Sequence, residues 1–145
     1  MTKRAVLDSS ALVSAFITPR GPAGQLIRAA HRGAFQLCLS VEIIEETAGV
    51  LVRPKITDRY RHKPHAAREF CSGLAAVALL VTDLPSLKAV PLDPKDDMVV
   101  ATAVAARADH LVTGDRRHLI VLGDYEGIRI LGPRAFLAEL APDQA

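Results

Sequence analysis

The sequence predicts an α/β protein with a short, mainly parallel sheet, and three observations lead there. Short apolar runs that end on an acid or a small polar residue alternate with longer stretches rich in Ala, Leu and Val. Proline, glycine and serine fall at the joints between them. Half of the residues are hydrophobic, and apart from four Phe and two Tyr they are small or aliphatic, a composition suited to helices packed on a sheet. Strands alternating with helices imply right-handed crossovers and parallel strands. No linker or repeat divides the chain, so residues 1–145 are expected to form a single domain. A chain of this length buries roughly 68–70% of its unfolded surface and needs no disulfide or zinc staple.

The elements follow in order. Arg4-Ala5-Val6-Leu7 reads as a first strand ending at Asp8. Ser9 and Ser10 offer cap chemistry for a helix through Phe16, broken by Pro19-Arg20-Gly21-Pro22. A second helix is expected over residues 23–32, with Gly33 ending it. Residues 35–39 form a second strand, and Ser40 caps a helix over residues 41–52 that stops ahead of Pro54, because the residue before a proline disfavours helix. Pro64 opens another helix through Leu74, and residues 77–82 end in a strand. Asp93 and Pro94 look like cap and first residue of a buried helix, followed by the strand Leu111-Val112. After a short helical turn or loop at residues 118–122, a last strand spans 128–131, and Gly132-Pro133 starts a terminal helix.

Cys38 and Cys71, far apart in apolar surroundings, read as free buried thiols of a reducing compartment. The N-terminal apolar run is too short for a signal peptide, and residues 70–82 are too few to span a bilayer, which takes about 20. A cytoplasmic protein without membrane segments is expected. The net charge of +2 says little, but its distribution says more. Arg53, Lys55, Arg59, Arg61, Lys63 and Arg68 face the single acid Asp58 in that stretch, an excess able to track a phosphate backbone.

Acids gather at one place. Asp8 and Asp115 each follow a strand, and Asp97 lies in the first turn of a helix that precedes one; all three belong at the carboxyl edge of the sheet, where such folds bind ligands. Capping and the helix dipole account for Asp93 and Asp96. Asp97 instead aligns with Ala101 and Val104 on an apolar face, where a carboxylate is costly unless a cation or donors meet it. On the helix over residues 41–52, Glu42 and Glu45 point about 150° from the centre of a broad apolar face and Glu46 about 110° from that centre, at the face's edge. Two bare carboxylates at ~4 Å repel by about 4 kcal/mol at a surface-like dielectric, so such a group calls for a cation. Oxygen ligands alone favour Mg²⁺ or Mn²⁺ over Zn²⁺, the ions suited to phosphodiester hydrolysis.

Asp8 in Val6-Leu7-Asp8-Ser9-Ser10-Ala11, Glu46 in Ser40-Val41-Glu42-Ile43-Ile44-Glu45-Glu46, Asp97 in Asp93-Pro94-Lys95-Asp96-Asp97, and Thr113-Gly114-Asp115 resemble the PIN-domain nucleases. The resemblance is closest to toxin components of toxin–antitoxin systems, relatives of the VapC toxins, and covers nearly the whole chain. It implies a three-layer α/β/α sandwich, Mg²⁺- or Mn²⁺-dependent endoribonuclease activity on RNA, a homodimer, and an antitoxin that blocks the site. Asp8, Glu46, Asp97 and Asp115 match the family's catalytic, metal-binding acids, with Ser10 and Thr113 in support. Arg53, Lys55, Arg59, Arg61 and Lys63 form the expected nucleic-acid rim with Arg116 and Arg117. Two departures stand out: Ser10 replaces the usual Asn, with one fewer donor, and His118 stands where relatives often carry an acid.

The rival reading is a PIN scaffold, weak or inactive as a catalyst, that binds RNA or a protein partner without cutting. A phosphatase using Asp8 as nucleophile wants a second Asp where Ser10 stands. No glycine-rich turn follows the first strand, and no Gly-x-Ser-x-Gly elbow surrounds Ser9 or Ser10, which argues against dinucleotide-binding and serine-hydrolase chemistry.

Overall fold

Strand β1 (Arg4–Leu7) is buried from Ala5 onward, and it delivers the chain directly into helix α1 (Ser9–Ile17). The computed structural model describes residues 2–87, 94–114 and 119–144. The N-cap of α1 is Asp8 rather than either serine: its carboxylate accepts from the Ala11 N–H at 2.9 Å, leaving the serine hydroxyls to other partners. Helix α2 (Pro22–His31) opens on proline at its first position. Gly24 is required there, since a Cβ would stand 2.1 Å from the Pro19 carbonyl oxygen. Gly33, at φ +80°, turns the chain out of α2.

Strand β2 (Gln36–Ser40) lies one residue later than the apolar run suggests. Phe35 instead packs edge-on against Phe136, with ring centroids 5.2 Å apart. Ser40 caps helix α3 (Val41–Leu51) as expected, and its hydroxyl also lies 2.9 Å from that of Thr102. A helix not anticipated, α4 (Pro54–Tyr60), starts on Pro54 and ends where Arg61 turns left-handed. It buries none of its residues, so it carries no apolar periodicity for a sequence reading to find. Helix α5 (Pro64–Val77) leads to strand β3 (Leu79–Val81). Helix α6 (Pro94–Ala106) begins on Pro94, as expected, while Asp93 lies outside the described residues. Strand β4 (His110–Val112) follows, then helix α7 (Leu119–Leu122), strand β5 (Asp124–Tyr125), strand β6 (Ile128–Leu131) and helix α8 (Pro133–Gln144). Strand β5 was not anticipated. It pairs antiparallel with β6 through Glu126-Gly127, both at positive φ, the two-residue turn that favours hairpins.

Among the described residues the sheet runs β3-β2-β1-β4-β6-β5, parallel except for β5. The chain moves outward from β1 through β2 to β3 and then returns to β4 on the other side of β1. Right-handed connections therefore put α6 on the face opposite α1 to α5, which gives the expected α/β sandwich. Val99, Val100, Ala103 and Ala106 of α6 are buried in the core. Cys38 and Cys71 are free and buried, and burial pushes the Cys38 thiol up to about 11. No helix among the described residues is long and apolar enough to cross a membrane.

Candidate active site

The order of the strands reverses between β1 and β4, and open parallel sheets bind ligands just beyond such a reversal. Asp8 and Thr113 are the first residues past these two strands. Backbone hydrogen bonds hold them there, from Asp8 N–H to the Val112 carbonyl and from Thr113 N–H to the Leu131 carbonyl, both 3.0 Å.

Asp8 is only 4% exposed. One carboxylate oxygen, Oδ1, accepts from the Ser10 hydroxyl at 2.7 Å and from the Ala11 N–H at 2.9 Å. The other, Oδ2, accepts from the Thr113 hydroxyl. These neutral donors fix the orientation of the carboxylate without neutralising its charge. Burial pushes the Asp8 carboxyl above its usual range, and the bonds from Thr113, Ala11, Ser10 and Gly114 offset part of that rise. An oxygen-only site around a buried acid raised in this way fits a hard divalent cation, which would favour its ionised form. Ser10 does a second job: its hydroxyl accepts from the Gly114 N–H at 3.0 Å and ties the start of α1 to the end of β4.

Glu46 reaches the same neighbourhood from α3. It is half-buried, whereas Glu42 and Glu45 are exposed. The Ser9 hydroxyl, next in the chain to Asp8, donates to its Oε1. This link depends on how α1 crosses α3, which no sequence pattern displays.

The first turn of α6 carries two acids with different outlooks. Asp97 lines a shallow groove with Glu42, Met98, Ala101 and the segment 84–87. Asp96 sits three, four and seven residues before Val99, Val100 and Ala103, in phase with the buried face, and its Oδ2 is shielded from solvent. The capping-box spacing hid this in the sequence; helical phase was the signal that distinguishes the two. Asp115, Arg116, Arg117 and His118 lie outside the described residues. Among the described residues no three His, Cys, Asp or Glu side chains group into a metal site.

Arg53, Lys55, Arg59, Arg61, Lys63 and Arg68 are all exposed, on α4, its flanks and the first turns of α5. The Arg59 guanidinium lies 5.4 Å from the centre of the Tyr60 ring. This basic stretch follows directly on the helix that carries Glu46.

No curated protein matches the chain significantly. The sequence profile of the PIN domain matches residues 4–117, from the first residue of β1 to just beyond the Thr113-Gly114 turn. PIN domains are generally nucleases and typically use divalent metals. The match spans most of the chain and takes in Asp8, Glu46 and both acids of α6, so the chain belongs to the PIN domain family.

Proposed function

We propose that this protein is an endoribonuclease that hydrolyses RNA phosphodiester bonds at a Mg²⁺ or Mn²⁺ site formed by Asp8, Glu46, Asp97 and Asp115. The observation that carries the reading is Asp8, a buried carboxyl at the strand-order reversal whose partners among the described residues are neutral hydroxyls and an amide. When bound, the ion supplies Lewis-acid activation of water and screening of phosphate charge. Thr113 and Ser10 fix the carboxylate of Asp8; Ser9, the next residue in the chain, donates to Glu46; and the basic stretch around α4 holds the RNA backbone. The sequence Thr113-Gly114-Asp115, directly after β4, supports Asp115 as the fourth acid. The likeness to toxin components supports a toxin–antitoxin role in the cytoplasm, with a homodimer as the working unit and an antitoxin as its inhibitor.

One observation favours a second reading, a PIN scaffold that binds RNA without cutting. Protein donors engage both oxygens of Asp8, and Ser9 engages Glu46. A cleavage assay with Mg²⁺ or Mn²⁺ on structured and single-stranded RNA separates the two, run beside Asp97→Asn and Asp96→Asn. Cleavage by the parent and loss in Asp97→Asn is the expected result. Loss in Asp96→Asn alone would move the ligand role to the sheet-facing acid. Binding without cleavage would establish the scaffold, and equal cleavage by all three proteins would mean a contaminating nuclease or another site.

A further inference from the structure

Ser40 and Thr102 meet where β2 ends, and both are fully enclosed, at 0% exposure. Their hydroxyls form one directed chain. The Ile43 N–H, in the first turn of α3, donates to the Ser40 oxygen at 3.3 Å. The Thr102 hydroxyl donates to the Met98 carbonyl, one turn earlier in α6, at 3.0 Å. A hydroxyl has a single proton, so Thr102 has none left for its neighbour, and Ser40 donates across the 2.9 Å between them. The chain thus runs from α3 through the end of β2 to α6 with every member satisfied. Capping explains only part of it. A helix N-cap needs an acceptor, which Ser40 supplies, but its own proton then needs an acceptor in a buried place, and Thr102 provides it. Thr102 stands among Val99, Val100, Ala103 and Ala106, the apolar buried residues of α6. A valine would fill the same space there with no hydroxyl to satisfy.

We propose that Ser40 and Thr102 are positioning residues of the metal site, joined so that Glu46 on α3 and the acids on α6 keep a fixed separation. The inference rests on the metal site of the proposed nuclease and adds two residues that act on it through others. Glu46 and the acids of α6 come from opposite faces of the sheet, so their separation depends on how each helix is seated on the strands between them. The hydroxyl chain acts at both helix starts. Ile43 lies three residues before Glu46, and Met98 immediately follows Asp97. Hydrogen bonds have a set length and direction, and a buried network with every member satisfied fixes one arrangement of the groups that make it. That precision matters to a small hard cation such as Mg²⁺, which demands near-ideal geometry of its oxygen ligands.

The test uses the full chain with Mn²⁺ as the probe, read by calorimetry without RNA. Thr102→Val keeps the shape, removes the hydroxyl and leaves Ser40 as the cap, whereas Thr102→Ser keeps the hydroxyl. Thr102→Val should lose about tenfold in Mn²⁺ affinity, the lower end of what a partner behind the ligands is worth, and Thr102→Ser should stay within about twofold of the parent. Leu140→Ala, buried in α8, lowers stability away from the acids and should bind Mn²⁺ as the parent does. In a Glu46→Gln background Thr102→Val should cost less than about twofold, because the separation it guards no longer matters. Without metal, Thr102→Val should speed amide hydrogen exchange at the starts of both α3 and α6, and more than Leu140→Ala does. A folded Thr102→Val protein with parental Mn²⁺ affinity overturns the inference. So does an equal loss in Leu140→Ala or in the Glu46→Gln background. A parent that binds no Mn²⁺ overturns the metal reading instead, and faster exchange at both helix starts then upholds the coupling between them. Unchanged exchange in Thr102→Val would overturn that coupling as well.

Discussion

The two ends of one sheet handle charge in opposite ways. At the amino end, His110 at the start of β4 places Nε2 3.0 Å from Glu139 of α8, and Arg129 of β6 approaches the same carboxylate at 2.5 Å. Nearby, the backbone N–H of Arg4 donates to Asp109 at 2.8 Å. The Glu139 carboxylate there is answered by the Arg129 guanidinium. At the carboxyl end Asp8 is also buried, yet among the described residues its partners are hydroxyls and amides, with no cationic side chain to answer its charge. The contrast separates an arrangement that holds the fold from one that awaits something outside the chain.

The largest effect should follow from removing that unanswered charge. Asp8→Asn is expected to lower Mn²⁺ affinity, read by calorimetry, by more than about 100-fold, beyond the usual cost of an outer partner, while far-ultraviolet circular dichroism stays unchanged. Unaltered Mn²⁺ affinity would erase the distinction between the two ends. Thr113→Val, which takes away the hydroxyl on Oδ2, should cost about 10–100-fold in the same measurement. At the opposite end, Glu139→Gln should spare cleavage and cost about 1–3 kcal/mol in urea unfolding, because the ionised partner of His110 and Arg129 is lost.

A smaller effect separates the ends by pH. Burial holds His110 below its ordinary value of 6.5, although the nearby Glu139 pulls the other way. Burial prevails on geometric grounds: a neutral ring donating from Nε2 leaves the buried Nδ1 as a bare acceptor, whereas protonation would strand an N–H there. A depressed histidine contributes stability above the unfolded value and loses it as pH falls from about 6.5 through the folded value. Urea midpoints should therefore drop across that acidic window in the parent, and less steeply in His110→Gln. Asp8 has the reverse sign. With its folded value raised, the metal-free protein should lose stability as pH climbs above 3.8, and added Mn²⁺ should restore it. A metal-free stability that rises with pH there in the parent, compared with Asp8→Asn, would contradict the burial argument.

Much of this arrangement was legible in the sequence. An apolar run ending on an acid marked where Asp8 leaves the sheet, and helical phase separated Glu46 from Glu42 and Glu45. What escaped did so for physical reasons. Helix α4 leaves no apolar stripe, and β5 depends on Glu126 adopting a left-handed turn more typical of Asn or Gly. Ser9 and Ser10 have the chemistry of caps, but Asp8 caps the helix itself and frees them to join α1 to α3 and to the end of β4. Asp96 fits a capping pattern and a core-facing phase at once, and the capping pattern hid the phase.

The sheet's borders differ in how they would behave under stress. On one flank β5 is two residues long and carries Asp124, a poor template for another molecule's backbone. On the other, β3 is nearly as brief but presents Leu79 and Leu80, 38% and 40% exposed. Should the protein be overproduced or warmed, self-association would start from the leucine flank, and a lysine at Leu80 is the natural gatekeeper to keep it dissolved.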